Sequence, residues 1–91
     1  MTDIYKDIGK QLRRYRRLMG FSQTEVAEKL RLKSSAIISR WEQGVSLPSL
    51  DNALKLSVIY KTLVNELFWE IFTAYRLELL KNENRNLGHD P

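Results

Sequence analysis

Residues 22–44, SQTEVAEKLRLKSSAIISRWEQG, constrain the fold of this chain more than any other stretch. Ser22 is a good N-cap. Glu25, three positions on, completes the reciprocal pattern in which each side chain takes the other residue's backbone N–H. Val26, Ala27 and Leu30 then form an inward stripe, with Glu28 and Lys29 outward. Ala27 is small enough at mid-helix to let a second helix cross closely. After Arg31-Leu32-Lys33, Ser34 or Ser35 can cap the next helix. Gly44 ends that helix, as a C-terminal glycine commonly does. The segment reads as two short helices joined by a tight connection.

The second of these helices, taken as residues 34–43, has two unlike sides. At about 100° per residue, Ile38 and Trp41 fall together, and Ala36, Ser39, Arg40 and Gln43 fall opposite. The first side is a core face. The second has no bulky apolar group that demands burial. It carries a guanidinium fork and an amide, which can make paired hydrogen bonds to base edges, typically guanine for Arg and adenine for Gln. Ala36 lets a backbone approach closely and offers a methyl to thymine. Amphipathicity alone favours an ordinary solvated face. The flanking sequence shifts the balance toward a surface for the major groove of DNA.

Apolar residues recur at spacings of three and four along the chain, and alternation is essentially absent. The expected class is all-α, with helices near 4–19, 23–30, 35–43, 50–60 and 62–81. Ile4, Ile8, Leu12, Tyr15 and Met19 make the buried stripe of the first helix, while Lys6, Lys10, Arg13 and Arg17 point away. That basic stripe reads foremost as a solvated face, although it could lie along a phosphate backbone. Pro48 precedes Ser49, which caps a helix carrying Leu50, Ala53, Leu54 and Val58. Thr62 is the expected cap of the last helix. Residues 82–91, rich in Asn, charges and Gly, are expected to form a frayed tail.

Composition removes several function classes. The 91 residues suit one small domain, and with no cysteine there is no disulfide, thiol nucleophile or thiolate metal site. His89 is the one histidine, so neither a His-based triad nor a zinc site is supported. The glycines are scattered and form no phosphate loop. Neither an enzyme nor a cofactor or metal is expected. A net charge of +4 suits a polyanionic partner. No apolar run spans a bilayer and no secretory leader is visible, so the expected compartment is the cytoplasm.

Four elements occur in order: I-G-K-x-L-R-x-x-R from Ile8, G-F-S-Q-T-E-V-A-E-K-L from Gly20, I-S-R-W-E-x-G from Ile38, and L-P-S-L-x-x-A-L-K-L from Leu47. Over about two thirds of the chain, Ile8 to Phe68, it resembles the phage Cro/repressor-type (XRE-like) helix-turn-helix family. The resemblance implies a lambda-repressor-like bundle of about five helices over residues 4–68 that binds double-stranded operator DNA as a dimer, usually to regulate transcription. It implies base reading by Ser35, Ala36 and Arg40, with Ser39 beside them. Gln23, Gln43 and Ser49 match backbone-contacting positions. It also pairs Arg16 with Glu42. The helical wheel independently puts Arg16 at the margin of the buried stripe, where a leaning arginine needs a partner.

The chain departs from this pattern at one corner. The segment between Gln23 and Arg40 is one residue longer than usual, and Arg31 stands where the family has a glycine. Arg31 disfavours positive φ, so the extra residue is expected to give the chain another route. Lys33, Ser34 and Ser35 then compete for the first DNA-facing position.

The last helix is the least family-like. Val64, Leu67, Phe68, Ile71, Phe72, Tyr75 and Leu79 make a wide apolar stripe, with Trp69 and Leu77 outside it. The compact domain should be complete by about residue 69, so residues 69–81 need another surface to cover them. A two-fold homodimer interface through Trp69, Phe72, Arg76 and Leu80 is expected. The alternatives are a helix folded back on its own domain, or an antitoxin-like interaction module whose last helix binds a partner protein.

Overall fold

The computed structural model describes the backbone of residues 3–85 and the side chains of residues 3–81. Its helices are α1 (Ile4–Leu18), α2 (Gln23–Lys29), α3 (Ala36–Glu42), α4 (Leu50–Ile59), α5 (Val64–Leu67) and α6 (Trp69–Arg85), with no strand among the described residues. Their starts follow from side-chain chemistry. Asp3 Oδ1 accepts the Lys6 N–H at 3.2 Å, and Ser49 Oγ accepts that of Asn52 at 3.2 Å. Ser22 and Glu25 exchange bonds in both directions, at 3.0 and 2.8 Å. Each such bond satisfies an amide that the first helical turn leaves unpaired.

The first four helices stop by one device. After each C-terminal residue the chain turns left-handed once, and two N–H groups reach back to the last carbonyls. At Gly44, φ is +75°, and the Gly44 and Val45 amides donate to Trp41 and Arg40. Glycine meets this geometry without steric cost. Arg31 and Lys61 adopt it too, with φ +58° and +53°. The expected detour around Arg31 is therefore not taken. The Arg31 N–H bonds to Glu28 O at 3.0 Å and the Leu32 N–H to Ala27 O at 2.9 Å. Leu32 then packs against the core, and that closure holds a conformation an arginine would otherwise avoid.

Ile8, Leu12, Val26, Ile38, Trp41, Leu56 and Leu67 form the centre of the core, with Ile4, Tyr15 and Met19 half-buried against it. Helices α1 and α3 approach so closely that a Cβ on Gly9 would overlap the Glu42 carbonyl oxygen and lie 2.8 Å from that of Trp41. A Cβ on Gly44 would come within 2.8 Å of the Lys6 backbone. These two contacts fix the C-terminal end of α3 against α1.

The C-terminal region differs from the expected single helix over 62–81. Phe68, at φ −109° and ψ +39°, leaves the helical conformation. The break directs Leu67 into the centre of the core and lets α6 set out along α1. The turn before it is held by Glu66 Oε1, which accepts from the Leu63 N–H at 3.3 Å and the Thr62 hydroxyl at 3.4 Å. Leu63, not Thr62, occupies the cap position. Ile71 still packs on the core, so the domain closes slightly later than residue 69. Helix α6 continues to Arg85, into the expected tail; the rest of that tail, with His89, lies outside the described residues.

Candidate nucleic-acid interface

Helix α3 is anchored from within. Ile38 and Trp41 are 1% and 5% exposed, and both belong to the core. Their burial fixes the rotation of the helix, so Ala36, Arg40 and Gln43 are exposed and Ser39 half-exposed on the far side. The Gln43 amide donates to Ser39 Oγ at 2.8 Å, which orders two polar groups of that face relative to each other. The helix begins one residue later than expected. Ser34 Oγ accepts the Ala36 N–H at 3.0 Å, whereas Ser35 makes no side-chain cap. Lys33 and Ser34 are exposed on the connection before it, and Ser35 is half-buried. Ser49 is exposed at the start of α4.

Glu42 sits on the inner side of α3, 4% exposed, and gathers three partners. Arg16 donates through Nε to Oε2 at 2.6 Å and through Nη2 to Oε1 at 2.9 Å, a two-pronged ion pair. A further Arg16 nitrogen reaches the Phe21 carbonyl at 2.9 Å. Gln23 Nε2 donates to Glu42 Oε1 at 3.0 Å. Arg13 Nε approaches the same oxygen at 3.5 Å. Burial works against the charged form of Glu42, but the hydrogen bonds from Arg16 and Gln23 and the Arg16 charge outweigh it, and the carboxyl is held below its usual range. The bond to Glu42 in turn raises Arg16 above its ordinary value despite burial. Burial, then the Glu42 charge, pushes the Tyr60 hydroxyl upward as well.

This cluster ties α1, the start of α2 and the end of α3 into one rigid unit. Arg13, expected to point away with Lys6, Lys10 and Arg17, is half-exposed at the edge between that basic face and the buried one. Its Nε reaches toward Glu42 because it lies one turn before Arg16, beside the same face. The Gly9 contact was also missed in the sequence. Its only signal is a small residue directly after Ile8 and one turn before Leu12 on the buried stripe.

A helix-turn-helix family model matches residues 12–67, more than half of the chain. The chain belongs to the Cro/repressor-type helix-turn-helix family. No curated protein and no solved structure matches it. The family is one of DNA-binding regulators and is generally not enzymatic. In this helix-turn-helix protein the motif pair is α2 and α3, with the corner at Arg31 between them. Among the described residues no helix is long and apolar enough to cross a membrane, and no group of acidic or histidine side chains is placed to hold a metal.

Proposed function

We propose that this helix-turn-helix protein is a sequence-specific transcriptional repressor that binds operator DNA as a homodimer in the cytoplasm. Helix α3 enters the major groove. Ser35, Ala36, Ser39 and Arg40 read base edges, with Arg40 as the main discriminator. Gln23, Lys33, Ser34, Gln43 and Ser49 contact the backbone and set the register. The observation that carries this reading is the open outer face of α3, held in place by the buried Ile38 and Trp41 beneath it.

The dimer contact is assigned to α6. Trp69, Phe72, Arg76 and Leu80 fall within about 80° of arc on that helix. The three apolar members are 45%, 38% and 43% exposed, and the Trp69 and Phe72 rings pack at a tilt with centroids 5.6 Å apart. The same exposed apolar surface supports a second reading, an antitoxin-like module that captures a partner protein through α6 and uses DNA binding for autoregulation.

Selection of bound fragments from a random duplex pool tests the main reading. It should return a two-fold symmetric site with half-sites about one turn, ~34 Å, apart. Recovery of no enriched sequence would remove the operator-binding role. A stoichiometric partner recovered from a pull-down, lost on substitution in α6, would favour the antitoxin reading.

A further inference from the structure

Helix α1 presents a second charged surface beside the motif. Lys10, Arg13, Arg14 and Arg17 line a hollow of about 420 Å³ together with Leu18. They fall within about 100° of arc. No acidic side chain lines this hollow. Among the described residues Lys10, Arg14 and Arg17 have no carboxylate within 4.0 Å, and Arg13 shares its one acid, Glu42, with Arg16. Such a concentration of like charge on one helix face favours an anionic partner.

The position of this surface selects the partner. Arg13 and Gln23 meet on the same oxygen of Glu42, at 3.5 and 3.0 Å. The basic face of α1 is therefore continuous with the start of α2, which flanks the recognition helix. From Lys10 to Arg17 the helix rises ~10 Å, a length that covers about three phosphates of one strand as measured along the DNA axis. A small free anion would need cations converging on one point, whereas these are spread along an axis.

We propose that the α1 face bearing Lys10, Arg14 and Arg17 is a phosphate-backbone clamp that tracks DNA flanking the site read by α3, adding affinity without sequence preference. It rests on the DNA-binding reading above. Arg13 marks its inner boundary, with its charge partly engaged by Glu42.

The test uses the full chain and two probes, a random-sequence duplex and a duplex from the fragment selection, titrated by fluorescence anisotropy over a range of KCl. The triple variant Lys10→Gln, Arg14→Gln, Arg17→Gln should lower the slope of log K against log salt by about two to three. It should weaken both duplexes by the same factor, at least tenfold, and leave their affinity ratio unchanged. A charge-matched control, Lys29→Gln, Lys55→Gln, Lys81→Gln, should change the slope by less than one. Matching melting curves establish that both variants are folded.

An unchanged slope in the α1 variant, while wild type binds with a steep salt dependence, overturns the clamp and leaves the DNA-binding reading standing. Equal slope losses in variant and control also overturn it, since net charge alone would then act. Loss of binding to polyglutamate with no loss on either duplex would reassign the face to an acidic protein partner. If wild type binds neither duplex, the DNA-binding reading itself fails, and the clamp with it.

Discussion

Glu42 concentrates more of the local energetics than any other side chain. It is buried, and it neutralises Arg16 while holding Gln23 at the entrance to α2. Removing one partner of a buried pair leaves an uncompensated charge and costs on the order of 3–5 kcal/mol. Glu42→Gln should show a loss of that order in urea unfolding. The pH dependence has a definite sign. The native carboxyl titrates below its ordinary value, so the stabilisation is fully present above the ordinary carboxylate range and is lost as pH falls through the native value. Wild-type Tm should therefore drop on acidification below about pH 4.3, and Glu42→Gln should flatten that decline. Equal acid limbs would assign the sensitivity to other groups.

In the proposed complex, Arg40 and Gln23 divide recognition differently. Arg40 is exposed and unpaired among the described carboxylates, free to offer its fork to a base. Arg40→Ala should lose roughly 1–3 kcal/mol of discrimination at one base position. Gln23→Ala should weaken operator and random DNA more evenly, because phosphate contacts carry little base information. Competition binding against both DNAs separates the two. An even loss for Arg40→Ala would remove it from the base-reading set.

The helix stops and crossings carry the next predictions. Arg31 sits at φ +58° in the corner between α2 and α3, where a non-glycine residue costs roughly 1–2 kcal/mol. Arg31→Gly relieves that strain but loosens the unfolded chain, so the net gain in stability should be about 1 kcal/mol at most. A denaturant midpoint that falls instead would mean the Arg31 side chain contributes packing that outweighs its backbone. Gly9→Ala has the opposite sign. Its methyl would overlap the Glu42 carbonyl, and the forced separation of α1 from α3 should cost about 1–3 kcal/mol.

What could be read from the sequence follows from how local each cause is. Ser22 with Glu25, Ser49 and Gly44 act through neighbours within a turn, so their roles were legible. The face of α3 was legible because Ile38 and Trp41 leave it one rotation. The Arg31 corner was not, because it is held by Leu32 closing onto a core assembled from distant segments. The reach of Arg13 to Glu42 was not legible because a wheel gives angles and no reach, and a long side chain can lean across an edge. The break at Phe68 had no signal, since no Gly or Pro interrupts Val64–Phe72. Only the demand of Leu67 for the core decides it.

Assembly depends on what covers α6. Phe68 and Ile71 turn toward the core, but Phe72, Tyr75, Leu77, Leu79 and Leu80 are exposed further along. A contiguous run of exposed apolar side chains on one helix marks an interaction surface. In the proposed dimer a second copy would cover that surface with the self-complementary symmetry of a two-fold contact, and it would set two α3 helices on one face for adjacent turns of DNA. Phe72→Glu with Leu80→Glu would place four like charges in such a contact, while both positions are exposed in the single chain and should leave its fold intact. Sedimentation should then show a wild-type dimer and a folded monomeric variant at the same concentration. The variant should bind an isolated half-site about as well as wild type does. On the full two-fold site it should lose the gain from linked binding, which reaches factors of about 10²–10⁴. A wild-type monomer at high micromolar concentration would rule out the α6 dimer and leave the exposed face to a different protein partner. A dimer that survives both glutamates would move the two-fold axis elsewhere on the domain.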